Sequence, residues 1–288
     1  MIMCFAHKQN MIIIILITFI IIALYLICIA PSQHAKKRLK SLPPFFAHRG
    51  LHNTKIPENS MSAILHASQA GYGVELDVRM TADKHAVVMH DANTARMCGH
   101  DLQIAKTSTQ MLSSLRLSNG EPIPLLRDVI KELNPYGTAL LIELKSGHSR
   151  TKLCQAVYQE ICNYSGPVLI QSFDPFSLLW FRIHHPHIPR GQLIGTSNSG
   201  AAKLLLFPHT LMLTNFLTKP DFISCGTLNL HSPSFLLCKK LFDCPIAVWT
   251  IRQETKANYY HERYEICIFE SFLPYNVSFH YESLKDSS

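Results

Sequence analysis

The sequence predicts an α/β protein: a (β/α)8 barrel with a β-hairpin after its second strand, preceded by one transmembrane helix. Three observations lead there. Short β-rich runs alternate with longer helical patterns between residues 45 and 275, the pattern of a parallel sheet with crossover helices. The length, 288 residues, suits one such barrel plus an N-terminal segment. An apolar run broken only by Thr18 fills residues 11–30.

As a helix that run rises about 30 Å, the thickness of the bilayer hydrocarbon core. A signal peptide is the competing reading, but its apolar region usually spans about 7–15 residues. Pro31 also follows the run directly, where cleavage is disfavoured. Residues 1–10 therefore read as an N-terminal tail and residues 11–30 as an uncleaved anchor. Lys8 and His7 precede the run, whereas Lys36, Lys37, Arg38 and Lys40 follow it. The positive-inside rule then gives a single-pass membrane protein with its C-terminal part in the cytosol. The same four charges suit anionic headgroups, although fixing topology is reason enough for them. Residues 31–44 read as a basic linker closed by Pro43 and Pro44; fully extended it would span about 45 Å.

Beyond the linker, the strand candidates are residues 45–48, 73–77, 86–90, 139–144, 167–171, 190–194, 221–225, 246–250 and 265–269. Helical stretches lie near 60–70, 124–133, 151–162, 175–184, 233–242 and 254–263. Nine strands exceed a barrel's eight by one. A parallel crossover needs about a dozen residues or more, and fewer separate Asp77 from Ala86. Those two strands should form an antiparallel hairpin, which leaves eight for the barrel. A turn centred near Ala82 and Asp83 would set His90 across from Glu75. Residues 45–275 thus form one barrel domain, and residues 276–288 a C-terminal tail.

Composition narrows the function classes. The net charge of +7 has no arginine–aromatic cluster behind it, and part of it sits beside the apolar run, so nucleic acid is not the expected partner. Nine cysteines are odd in number, scattered, and without a Cys-x-x-Cys pair. That argues against a disulfide framework and thiolate zinc sites, and suits a reducing compartment.

Chemistry concentrates at strand ends. His48 and Arg49 close the apolar strand Phe45-Phe46-Ala47, and barrel strands end on the active-site face. A histidine and an arginine there suit proton transfer and phosphate binding; a surface turn is the bland alternative. Glu75 and Asp77 share one strand face, with Val74, Leu76 and Val78 on the other. Two inward carboxylates are costly unless compensated, either by a hard divalent cation or by a buried base. Glu143 and Lys145 repeat the pattern. Glu143 becomes a third carboxylate ligand and Lys145 a charge for a phosphate oxygen, unless the two form a simple internal ion pair. His90 ends the run Val87-Val88-Met89. Two histidines suit phosphodiester cleavage, one taking a proton from the nucleophile and the other protonating the leaving alkoxide; His90 as a metal ligand is the alternative. Glu58 precedes Asn59 and Ser60, either of which reads as an ordinary helix N-cap.

Together these segments resemble the glycerophosphodiester phosphodiesterase family. The resemblance rests on His48-Arg49-Gly50, Pro57-Glu58-Asn59-Ser60, Glu75-x-Asp77, Val87-Val88-Met89-His90-Asp91 and Ile142-Glu143-Leu144-Lys145, in the family's order and spacing. It continues through Gln171-Ser172-Phe173, Arg190-Gly191-Gln192-Leu193 and Trp249-Thr250-Ile251-Arg252. It implies a TIM barrel that hydrolyses glycerophosphodiesters to an alcohol and glycerol 3-phosphate with Mg2+ or Ca2+. By the same match Glu75, Asp77 and Glu143 are metal ligands, and His48 and His90 are acid and base. Arg49 and Lys145 face the phosphate, Glu58 sits near the metal as a ligand or just behind one, and Trp249 walls the substrate pocket. Two departures stand out: Phe269-Glu270 where many members have Thr-Asp, and Arg252 where many have Asn. They point to a bacterial-type, membrane-anchored subgroup and leave substrate choice open between soluble glycerophosphodiesters and membrane lysophospholipids. A catalytically silent phosphate-binding barrel and a phospholipase C-like lyase are the competing classes. No ligand or histidine of the motif is lost, which speaks against the first, and the Glu-x-Asp and Ile-Glu-Leu-Lys pairings speak against the second.

Overall fold

The computed structural model describes residues 2–33, 35–145, 147, 149–195 and 211–274. Nine strands form one sheet: β1 (Phe45–His48), β2 (Gly73–Met80), β3 (Ala86–Val88), β4 (Leu140–Leu144), β5 (Val168–Ser172), β6 (Arg190–Ile194), β7 (Phe222–Gly226), β8 (Ile246–Ile251) and β9 (Ile266–Phe269). Eight of them run in the order β1-β9-β8-β7-β6-β5-β4-β2, and β1 pairs with β2 to close the ring. All eight are parallel neighbours. This is the expected TIM barrel. The hairpin is also present, with β3 lying antiparallel on the end of β2 that projects past β4.

Its register corrects the sequence expectation at His90. Val78 faces Val88 and Met80 faces Ala86, which centres the turn on Asp83. Asp83 holds the turn by accepting from Thr81 at 2.6 Å and from Thr109 at 2.7 Å, and Lys84 takes the left-handed conformation. The last contact is the Met89 N–H to the Asp77 carbonyl at 2.9 Å, so the ladder stops before His90. Arg79 grips the His90 carbonyl instead, at 2.8 and 2.6 Å.

The barrel interior is plugged by alternating large and small residues. Phe46, Leu141, Leu169, Phe222, Ala247 and Ile266 fill it, and Leu39 and Leu42 cap it from the N-terminal side. Glycines make the room: a Cβ on Gly191 would lie 2.1 Å from the Phe222 ring, and one on Gly73 would lie 2.6 Å from Phe46. Outside the ring a second apolar layer joins the sheet to its helices. Val87, Met89, Ile104, Leu112, Leu115, Leu117 and Ile123 form a small core of their own around the hairpin. Ser60, Asp174 and Ser232 cap the helices Met61–Gln69, Pro175–His184 and Pro233–Phe242, each accepting a first-turn N–H.

The N-terminal helix runs Ile2–Ile29, and its Gln9–Ile29 stretch is long and apolar enough to cross a membrane. Most side chains from Met11 to Leu24 are exposed, so the helix projects away from the barrel. Among the described residues only its end is docked. Asn215 donates to the Ile29 carbonyl at 2.9 Å, Lys219 to Ala30 at 3.0 Å, and the Ser32 N–H to Pro220 at 2.8 Å. The segment that follows is folded rather than extended: it contains the helix Ala35–Leu39, with Arg38 paired to buried Asp221 at 3.1 Å and Lys36 paired to Asp243. The anchor therefore meets the barrel where its strands begin. The tail at residues 276–288 lies outside the described residues.

Candidate functional site

Two neighbouring strands, β2 and β4, bring the carboxylates together. Register sets Asp77 beside Glu143, Glu143 beside Gln171, and Glu75 beside His48. Carboxylate oxygens of Glu75, Asp77 and Glu143 lie within 4.8 Å of one another, and all three residues are buried. The buried bases that the sequence offered as one compensation are present. Lys145 Nζ meets Asp77 at 2.8 Å and Glu143 at 2.5 Å, and Arg49 Nε stands 3.2 Å from Asp77. With all three acids ionised, three acids against two bases would leave one excess negative charge. Burial and then the Asp77 and Glu143 charges hold the Glu75 carboxyl well above its usual range. For Asp77, burial acts upward, but Lys145 and Arg49 outweigh it and the carboxyl is held low. Oxygen donors alone, with surplus negative charge, form a set that fits a hard divalent cation.

The centre is buttressed from behind. Asn59, in the left-handed conformation, donates to Asp77 at 2.9 Å, and Gln171 donates to Glu75 at 3.1 Å. Of the two N-cap candidates, Ser60 is the cap, which frees Asn59 for this role.

A cavity of about 140 Å³ opens above the carboxylates at the strand C-termini. His48, Arg49, Glu75, His90, Glu143, Lys145 and Trp249 all line it. Asp77 lies behind the wall. Glu58 stands apart from the carboxylate trio, its carboxylate held by Arg49 at 2.8 Å and Arg96 at 2.7 Å. Arg96 also holds Asp91 at 2.6 Å, and the Asp91 carboxylate accepts from His90 Nδ1 at 2.8 Å. One chain of ion pairs thus links the two histidine-bearing loops. Burial, followed by Lys145, lowers the His90 pKa. Inside the cavity Gln171 Oε1 and the Trp249 indole N–H are buried with no partner among the described residues.

The other histidine has a carboxylate partner that sequence reasoning flagged only as a departure. His48 Nδ1 lies 2.5 Å from Glu270 Oε2, and Arg252 Nε donates to Glu270 Oε1 at 2.5 Å. The two departures are therefore partners of each other. Burial favours the neutral form of Glu270, but His48 and Arg252 outweigh it and hold the carboxyl at about 2. His52 joins His48 and Glu270 within 4.8 Å. With Arg252 already on Glu270, that cluster is less suited to a cation than the three carboxylates.

Residues 48–271 match the model of the glycerophosphoryl diester phosphodiesterase family. The chain belongs to that family. Among curated members, the glycerophosphodiester phosphodiesterase of Caldanaerobacter subterraneus subsp. tengcongensis is 31% identical over 160 residues, 51% of this chain and 65% of that protein. Glycerophosphodiester phosphodiesterase 1 of Bos taurus is 31% identical over 159 residues, 50% of this chain and 47% of its own length. The matches thus cover between about half and 65% of these relatives. A phosphodiesterase from Oleispira antarctica, solved in complex with the product sn-glycerol-3-phosphate, shares the fold at a TM-score of 0.66 and 24% identity, over 81% of this chain and 94% of that one. The glycerophosphodiester phosphodiesterase of Thermotoga maritima does so at 0.60 and 23%, over 79% and 94%.

Proposed function

We propose that the chain hydrolyses glycerophosphodiesters to an alcohol and glycerol 3-phosphate. The observation that carries this is one cavity lined by two histidines, two cations and two carboxylates of the three-carboxylate centre, with the third, Asp77, just behind its wall. Mg2+ or Ca2+ held by Glu75, Asp77 and Glu143 would neutralise charge on the phosphoryl oxygens. Arg49 and Lys145 orient the phosphate from the cavity wall. His48 and His90 divide the two proton transfers: one imidazole takes a proton from the attacking water as its oxygen bonds to phosphorus, and the other delivers a proton to the departing alkoxide as the P–O bond breaks. Glu270 holds His48 through Nδ1, which fixes its tautomer and leaves Nε2 for the reaction; Asp91 does the same for His90. Trp249 walls the pocket, and its free indole N–H suits a substrate oxygen.

The anchor position favours soluble substrates. The exposed apolar helix meets the barrel at the strand N-termini, whereas the cavity opens at the strand C-termini. A membrane holding that helix leaves the cavity facing away from the lipid. Water-soluble glycerophosphodiesters reach such a site directly; a lysophospholipid would first have to leave the bilayer. We read the protein as a single-pass, membrane-anchored family member with its barrel in the cytosol. Lys37 and Lys40 stay exposed after Lys36 and Arg38 pair with barrel carboxylates, and they keep the charge bias on that side.

Product identification tests the reading. Purified protein is incubated with a panel of glycerophosphodiesters and lysophospholipids, with and without chelator. Glycerol 3-phosphate should form from the soluble diesters in the presence of metal only. Release of lysophosphatidate from lysophospholipids, with no turnover of soluble diesters, would replace this substrate class by the lipid one.

A further inference from the structure

Beside the catalytic cavity lies a larger one of about 450 Å³. It is bounded by the hairpin end of β2, the segment after β3, and the first turn of the helix Arg150–Ile161. Its floor is aliphatic, with buried Ile104 and Leu153. Its walls carry six basic side chains, Arg79, Lys84, Lys106, Lys145, Arg150 and Lys152, and no described carboxylate.

Two of the six are neutralised elsewhere: Arg150 pairs with Asp174, and Lys145 with Asp77 and Glu143. Arg79 donates to a neutral acceptor, the His90 carbonyl. For Lys84, Lys106 and Lys152 no ion pair is formed among the described residues. Three lysine charges thus border one concave space without an ion pair among the described residues, and Arg79 adds a fourth that Asp77, Glu143 and Asp91 partly offset. The positive end of a twelve-residue helix adds to them. Like charges around a cavity raise its potential and draw in an anion.

The cavity is also placed to receive part of the substrate. Lys145 lines both this space and the catalytic cavity, so the two adjoin at the carboxylate centre. Arg79 ties the wall to His90, on the hairpin side, whereas Trp249 lines only the catalytic cavity. A diester phosphate at the centre would reach into this space with one of its two substituents.

We propose that this cavity is a subsite for a second anionic group, so that the preferred glycerophosphodiester carries a phosphomonoester on its alcohol. The inference rests on the diesterase reading above and names its substrate class.

A matched pair of substrates tests it: glycerophosphoinositol and glycerophosphoinositol 4-phosphate, with the full-length protein and metal present. The phosphorylated diester should have a kcat/KM about tenfold higher at low salt, with the advantage shrinking as ionic strength rises. The variant K84Q/K106Q/K152Q should keep its kcat/KM on glycerophosphoinositol and lose the advantage. Calorimetric binding of inositol 4-phosphate to wild type and variant reads the cavity without turnover, and affinity should fall in the variant. Equal kcat/KM on both diesters, or binding indifferent to the three lysines, overturns the subsite. Binding that depends on the lysines, together with no hydrolysis of either diester, overturns the diesterase reading and leaves the subsite standing.

Discussion

Arg252 and Glu270 form one ion pair at 2.5 Å, and the same carboxylate holds the Nδ1 atom of His48. The pair lies across β8 and β9, whose Ile251 and Phe269 ends are in register. The arginine restrains one carboxylate oxygen while the other meets the imidazole.

Glu270→Gln should therefore lower kcat by about 10–100-fold with little change in KM, because it loosens the His48 tautomer and orientation rather than removing a substrate contact. It should also change acid stability. The Glu270 carboxyl lies at about 2, depressed from 4.5. Its stabilising contribution is complete above about pH 4.5 and is lost as pH falls towards 2. Urea unfolding at pH 7 and pH 3.5 should show a smaller loss of stability for the variant than for wild type. Identical acid profiles would show that the pair does not stabilise the fold.

Each histidine replaced by Ala should cut kcat by about 10²–10⁴-fold on natural diesters. The double variant should lose less than the product of the two, since both groups act in one transition state. Leaving groups separate their roles. With p-nitrophenol as the leaving alcohol, the acid variant should recover and the base variant should not. If His90 instead binds metal, excess metal should rescue His90→Ala.

Exhaustive chelation should abolish turnover, and Mg2+ or Ca2+ should restore it. Glu143→Gln should weaken metal binding measured by calorimetry while the protein stays folded, since Glu75 and Asp77 on β2 remain and Lys145 keeps its pair with Asp77. Asn59→Ala should weaken it less, because Asn59 acts only by holding Asp77.

Gly191→Ala should destabilise the barrel by about 1–3 kcal/mol, since its methyl would lie 2.1 Å from the fully buried Phe222 ring. Adding Phe222→Leu should recover part of that loss. Denaturant midpoints at constant m-value give the measurement.

A C-terminal reporter that works only in the cytosol should be active, and one that works only outside should be silent. The opposite result would reverse the orientation read from Lys37 and Lys40.

The strand pattern, the hairpin and the pairing of Glu75 with Asp77 on one face could be read from the chain alone. Each depends on local periodicity: a two-residue repeat along a strand and too short a connection after Asp77. The motif carried His48, His90, Arg49, Lys145, Glu143 and Trp249 to one cavity for the same reason, as His90 follows the hairpin strand and each of the others sits at or near a barrel strand end. What the sequence could not determine lies between residues far apart. Glu270 meets His48 because closure of the ring makes the last strand a neighbour of the first. Arg96 bridges Glu58 and Asp91 across a loop with no periodicity to read. Asn59 passes for a cap until Ser60 is seen to take that place and Asp77 is found beside its amide. The His90 register slipped because hydrogen bonds around Asp83, not strand propensity, set the turn. Local pattern determined which residues lie on which strand; only closure of the barrel and folding of its loops decided which charges touch, because ion pairs between distant segments leave no periodic trace in the chain.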